Sequence, residues 1–215
     1  MFRLTPVVRN IIMINALVFL AQQIVPTKDF ASCLGNFQEG YPIDVITGFL
    51  SMWNVKTDCF KPYQLFTYMF VHGGFTHIFF NMLSLAFMGP ILETFWGPKR
   101  FTLFYVVTGI GAGIFNILIT MSFGVGSFSI MMGASGAIYG VLMGFGMLFP
   151  NMEVMLLLPP IPIKAKYLVF VLGGLNFLLD RSGNVAHFAH LGGVIFAFIL
   201  ISLWRKQGGG GGSYY

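Results

Sequence analysis

A chain of 215 residues that is 56% hydrophobic and only 9% charged, with a mean hydropathy of +0.80, cannot present the surface of a soluble domain. Its formal charge of +5 has no matching clustered basic stripe, so the excess of Lys and Arg reads as membrane orientation and not as nucleic-acid binding. What remains is a polytopic, all-α membrane protein, small enough for one helical bundle over residues 1–206 and too small for a sizeable second domain.

Six spans are expected in chain order. The first runs from Asn10 to about Val25, lacks a convincing signal-peptidase site, and is stopped by Pro26. A large connection from about residue 26 to 61 follows. It holds most of the acidic residues, both cysteines and mixed aromatics such as Tyr41, Phe49 and Trp53, a composition suited to short interfacial helices. The second span covers Phe75 to Trp96, and Gly97-Pro98-Lys99-Arg100 makes a tight basic turn.

The third span runs from about Phe101 to Ser122, with Gly109 and Gly113 spaced for close helix approach. After a short uncharged loop from Phe123 to Ile130, the fourth begins near Met131 and ends near Pro150, carrying Gly136, Gly140 and Gly144. Pro159, Pro160 and Pro162 exclude a continuous helix between Asn151 and Lys166. The fifth span reaches from about Tyr167 to Leu179. Asp180 to Asn184 form a loop, and the sixth span runs from about Val185 to Trp204. Residues 207–215, rich in Gly, read as a flexible tail outside the fold.

With both termini cytoplasmic, Arg3, Arg9, Lys99, Arg100, Lys164, Lys166, Arg205 and Lys206 lie inside and Lys28, Lys56, Lys61 and Arg181 outside, eight against four. In that topology the even-numbered spans start at the outer face. His77 and Asn81 then lie near the outer start of the second span, Ser135 near that of the fourth, and His190 about two turns into the sixth. Helix-gluing polar residues have no reason to agree in depth, so the coincidence marks a candidate site.

Its chemistry follows from the residue types. A Ser hydroxyl becomes a useful nucleophile when a neighbouring base takes its proton, and His is the usual base. Gly133 and Gly136 flank Ser135 and let backbone approach a substrate closely. His77 and Asn81, four apart, share a helix face and offer donors for an oxyanion. No carboxylate is placed to orient His190, so packing must hold it, and Tyr139, one turn from Ser135, can set its ring against the imidazole. At about 100° per residue, Ala186, His190, Gly193 and Ala197 fall on one stripe about 60° wide. That stripe is expected to lie against Gly136, Gly140 and Gly144, with His187 at its flank nearer the outer surface.

From about Lys61 to Leu203 the chain resembles the rhomboid family of intramembrane serine proteases, in its basic six-helix bacterial form. The resemblance rests on His72-Gly-Gly-Phe-Thr-His77-Ile-Phe-Phe-Asn81, on Gly133-Ala-Ser135-Gly136 with Tyr139, and on Ala189-His190-Leu-Gly-Gly193 followed by Ala197. It implies a rhomboid-like six-helix fold and a cofactor-free endopeptidase acting on transmembrane protein substrates, from a multi-pass position in the bacterial plasma membrane. It further implies Ser135 as nucleophile, His190 as base, and His77, Asn81 and the Ser135 N–H as the oxyanion site. Two positions depart from the family: Tyr63-Gln64 stands where Trp-Arg is common in the first loop, and Ala197 where Gly is usual.

The remaining polar residues have plainer readings. His72 is expected to be structural, Glu93 to be tied to the Lys99/Arg100 turn, and Asn116 and Asn176 to bond between helices. Cys33 and Cys59 fall together in the outer loop, where a disulfide is open to them. Two competing functions stand beside the protease: a non-proteolytic binder of transmembrane segments, and a metal-dependent site on His72, His77, His187 and His190. The second lacks the H-E-x-x-H spacing or a carboxylate partner.

Overall fold

The computed structural model describes residues 3–30, 33, 42–124, 130–156, 160–179 and 185–207. The Gly-rich tail from residue 208, Glu39, Tyr41, Pro159, the loop at 180–184 and most of the loop after Phe123 lie outside the described residues. The six expected spans are α1 (Pro6–Ile24), α4 (Phe75–Trp96), α5 (Pro98–Phe123), α6 (Ser135–Leu148), α7 (Ala165–Leu179) and α8 (Val185–Gln207). Four of them, α1, α4, α5 and the His187–Gln207 stretch of α8, are long and apolar enough by themselves to cross a membrane.

The other two, α6 and α7, are shorter, and α6 is enclosed by its neighbours. Residues Gly136 to Leu142, with Gly144 and Phe145, are buried on every side of α6, as expected of a helix enclosed by others. Helices α4, α5, α7 and α8 all pack around it. The exposed faces of the outer helices carry large apolar side chains, such as Phe75, Phe80 and Phe87 on α4 and Phe170 and Leu178 on α7.

Helix α1 begins four residues before the expected start, and the reason corrects a second expectation. Glu93, buried near the end of α4, does not reach the Lys99/Arg100 turn. Its carboxylate accepts from the Val7 and Val8 amides at 3.0 and 2.9 Å and from the Thr5 hydroxyl at 2.5 Å. The orphan amides at the start of α1 are thus capped from another helix, where a negative charge also suits the helix dipole. Pro6 at the first helical position needs no partner.

The start of α6 is four residues later than expected. Met131 pairs by both its N–H and its C=O with Met52, at 2.9 Å each, so it belongs to an extended segment. Gly133 then takes φ +117°, which no helix accommodates. Met52 lies in the outer connection, which contains β1 (Thr27–Asp29) paired antiparallel with β2 (Pro42–Asp44), then α2 (Val45–Leu50) and α3 (Gln64–Thr67). A 3₁₀ turn at Tyr68–Phe70 leads on to α4. The Cys33–Cys59 disulfide forms, with Cα atoms 5.5 Å apart.

Gln64, one of the two departures from the family pattern, organises this loop. Its amide donates to the carbonyls of Phe49 and Cys59 at 3.2 and 3.1 Å, and its oxygen accepts from the amides of Trp53 and Lys61 at 3.3 and 3.1 Å. At the other end of the bundle, β3 (Glu153–Met155) and β4 (Pro162–Lys164) form an antiparallel hairpin between α6 and α7, as the proline-rich stretch requires. Arg100 lies over the Trp204 ring at 4.2 Å and Arg205 donates to the Met147 carbonyl, so the basic ends of α5 and α8 gather at the end where α6 stops.

Candidate active site

Ser135 is the first residue of α6, following an extended segment that the outer loop holds in place. Helical geometry leaves its own N–H and those just after it without intrahelical partners. His190 comes from α8, and its Nε2 stands 2.8 Å from Ser135 Oγ. The imidazole lies flat on the Tyr139 ring, centroids 4.2 Å apart and planes 14° from parallel. The Tyr139 hydroxyl in turn donates to the Leu172 carbonyl of α7 at 3.1 Å. One aromatic ring therefore takes the orienting place that sequence reading could not give to a carboxylate, and its π face favours the imidazolium by about 0.5–2 kcal/mol.

The approach of α8 to α6 depends on absent side chains. A Cβ on Gly193 would lie 1.9 Å from the Gly136 carbonyl oxygen, and one on Gly136 would lie 2.6 Å from Ala112 Cβ of α5. The small-residue stripe of α8 thus meets α6 at Gly136, as expected. It does not meet Gly140 and Gly144, which face Thr108 and Phe104 of α5 instead. Glycines four apart precess by about 40° each step at 3.6 residues per turn, so a three-glycine strip turns from one neighbour to the next. His187 is half-buried, and the face that reaches Ser135 belongs to His190.

Gly133 is pinned by its amide donating to the Tyr68 carbonyl at 2.9 Å. The Cβ it lacks would fall 2.7 Å from both Cε1 and Nε2 of His77 and 3.8 Å from Ser135 Oγ. The space left by this hydrogen is therefore the space between His77 and the serine. His77 Nδ1 accepts from the Gly73 amide at 3.3 Å, which leaves Nε2 as the protonated nitrogen, presented toward that space. Asn81 is buried on the same face of α4. One of its amide hydrogens goes to the His77 carbonyl at 3.0 Å, so one remains as a donor.

His72 is buried behind His77, their rings edge to face at 5.0 Å. Burial, reinforced by the neighbouring His77, pushes its pKa down to about 3, so the ring is neutral and structural. Its backbone is held by Gln22 of α1, whose oxygen accepts from the His72 amide at 3.2 Å and whose amide donates to the His72 carbonyl at 3.1 Å. Gln22 was not singled out from sequence, and Gln64 was noted only as a departure from the family pattern. A glutamine inside an apolar helix is the signal that could have found Gln22. The four histidines do not converge, and among the described residues no three His, Cys, Asp or Glu side chains come together as a metal-ligand group.

Two further expectations need correction. Asn116 borders a small cavity with Met52, Trp53, Thr120 and Met131 and bonds no other helix among the described residues. Asn176 on α7 leaves a buried Oδ1 with no hydrogen-bond partner among the described residues.

The fold and the site together define a polytopic helical membrane protein with a serine and a histidine paired inside the bundle. The chain belongs to the rhomboid family: the family model described as Rhomboid domain matches residues 60–207, well over half of its length. Similar proteins include "Putative rhomboid protease YdcA" of Bacillus subtilis (strain 168), 29% identical over 206 residues that cover 92% of this chain and 88% of that protein. "RHOMBOID-like protein 1" of Arabidopsis thaliana is 31% identical over 151 residues, 69% of this chain and 36% of that protein. "Inactive RHOMBOID-like protein 8" of the same plant is 27% identical over 144 residues, 66% of this chain and 38% of that protein. The chain thus spans little more than a third of the length of these two plant relatives.

Proposed function

We propose that the protein is an intramembrane serine endopeptidase that cleaves transmembrane protein substrates with a Ser135–His190 dyad. The observation that carries the reading is the 2.8 Å approach of His190 Nε2 to Ser135 Oγ, held by a stacked Tyr139. As Ser135 Oγ attacks the scissile carbonyl carbon, His190 Nε2 takes its proton. The tetrahedral oxyanion is met by the Ser135 N–H, His77 Nε2–H and the remaining Asn81 N–H. His190 then protonates the departing amine and leaves an acyl ester on Ser135. Water attacks that ester with His190 again as base, and the acid product is released.

Water must reach this chemistry inside a bilayer. Helix α6 has 14 residues and spans only about 21 Å at 1.5 Å per residue, against a hydrocarbon core of about 30 Å. Ser135 at its end therefore stands at the floor of a depression below the membrane surface. The eight-to-four distribution of basic residues supports cytoplasmic termini and, with them, a depression open to the outer side. Helices α4 and α7 both pack on α6 and only marginally on one another, which leaves the space between them as the route for a substrate helix.

The test is cleavage of a model transmembrane substrate by purified protein beside Ser135→Ala. Loss of cleavage in the variant with the bundle intact is expected; near wild-type cleavage contradicts the serine mechanism. The competing reading, a non-proteolytic binder, is favoured by the name of the inactive plant relative. It predicts substrate binding without turnover by the unmodified chain.

A further inference from the structure

Helices α6 and α7 run antiparallel, and two contacts fix their register. A Cβ on Gly146 would lie 2.9 Å from the Ala165 carbonyl oxygen, and seven residues on in each helix Tyr139 bonds the Leu172 carbonyl. Four residues further, one turn in each helix, Ser135 comes level with Asn176. The face is settled by the same periodicity. Ala165, Leu168, Val169 and Leu172 form the stripe of α7 turned into the bundle, and Asn176 lies about 30° from its centre, within its width. Tyr167, Phe170, Gly174 and Leu178 lie on the opposite, exposed face.

Asn176 is therefore an amide aimed from α7 toward α6 at the level of the serine, and its Oδ1 is buried with no hydrogen-bond partner among the described residues. A buried carbonyl oxygen left unpaired is destabilising, and more so where lipid replaces water. An apolar residue there would avoid that cost, as Leu168 and Leu172 do on the same stripe. From this juxtaposition we infer that Asn176 is a substrate-positioning residue, pairing with the unwound main chain of the transmembrane substrate beside the scissile bond. The inference rests on the protease reading given above. A carboxamide suits a peptide main chain whatever its side chains: Oδ1 accepts an N–H and Nδ2 donates to a C=O. An extended segment held between Ser135 and Asn176 is also the conformation that exposes a scissile carbonyl to attack, since a helical substrate keeps its amides paired.

The test uses the full-length protein carrying Asn176→Leu, which removes the amide while keeping the branching and the number of heavy atoms, with Asn176→Ala as a second variant. Three quantities are read: cleavage of a transmembrane substrate, the rate of labelling by a small fluorophosphonate, and thermal stability. Both variants are expected to lose roughly tenfold or more in kcat/KM on the transmembrane substrate. The fluorophosphonate, which has no main chain to bind, is expected to react within about twofold of wild type, and the Leu variant to melt no lower. Cleavage at wild-type level in both variants overturns the inference. So does parallel loss of labelling and cleavage with lowered stability, which makes Asn176 a packing residue. Failure of the unmodified protein to label or cleave is a separate outcome and contradicts the protease reading itself.

Discussion

The backbones of α6 and α8 touch at Gly136 and Gly193, so closely that a Cβ on Gly193 would stand 1.9 Å from the Gly136 carbonyl oxygen. His190 lies one turn before Gly193 and Ser135 one residue before Gly136. The distance across the dyad is therefore set by hydrogen atoms where other residues carry side chains. Gly193→Ala must push the helices apart by more than an ångström, and a misplacement of that size costs on the order of 10² in rate. A loss of that size is expected in transmembrane-substrate cleavage. Gly174→Ala on α7, where a Cβ meets nothing within 4 Å, is expected to cleave normally. Equal activity of the two variants contradicts this account of helix approach.

The oxyanion side makes a prediction about coupling. Gly133→Ala both strains a backbone at φ +117° and drives a methyl group into the His77 ring. His77→Ala and Asn81→Ala each remove one of several donors, for a loss of up to about 10²–10³. Because the methyl group acts partly by displacing His77, Gly133→Ala combined with His77→Ala is expected to be less active than His77→Ala by much less than the single Gly133→Ala defect. Kinetics of the four proteins measure that non-additivity. Full additivity separates Gly133 from His77, and normal cleavage by the His77 and Asn81 single and double variants removes both from the oxyanion site.

How far the fold was legible follows from which signals were local. The second span was readable to the residue because Gly74 and Gly97 bracket a predominantly apolar run from Phe75 to Trp96. The stacking of Tyr139 on His190 was legible because Tyr139 lies one turn from Ser135 on the same helix, beside the histidine that pairs with the serine. The late start of α6 was not legible. Met131 is as apolar as the helix it precedes, and only its pairing with Met52, far away in the outer loop, makes it extended. Glu93 failed for a similar reason. The nearest basic residues in sequence were Lys99 and Arg100, whereas the carboxylate found uncharged amide donors at the start of α1.

The glycine strip of α6 was legible in kind and only partly in partner. Its spacing announces close helix contact, but Gly140 and Gly144 face Thr108 and Phe104 of α5, because the strip precesses around the helix. Gln64 shows the same limit in the loop. A substitution in a family motif reads as a loss, yet its four backbone hydrogen bonds hold Phe49, Trp53, Cys59 and Lys61 together.

The central claim is that Ser135 is a nucleophile activated by His190, and the repeated Ala-His in Ala186-His187-Phe188-Ala189-His190 allows it to be tested against a built-in control. The measurement is fluorophosphonate labelling of the purified protein, with the modified residue located by mass spectrometry, in the wild type, His190→Ala and His187→Ala. The account predicts labelling at Ser135 in the wild type, none in His190→Ala, and substantial labelling in His187→Ala, since His190 alone stands 2.8 Å from the hydroxyl. Labelling that persists in His190→Ala and vanishes in His187→Ala would contradict it.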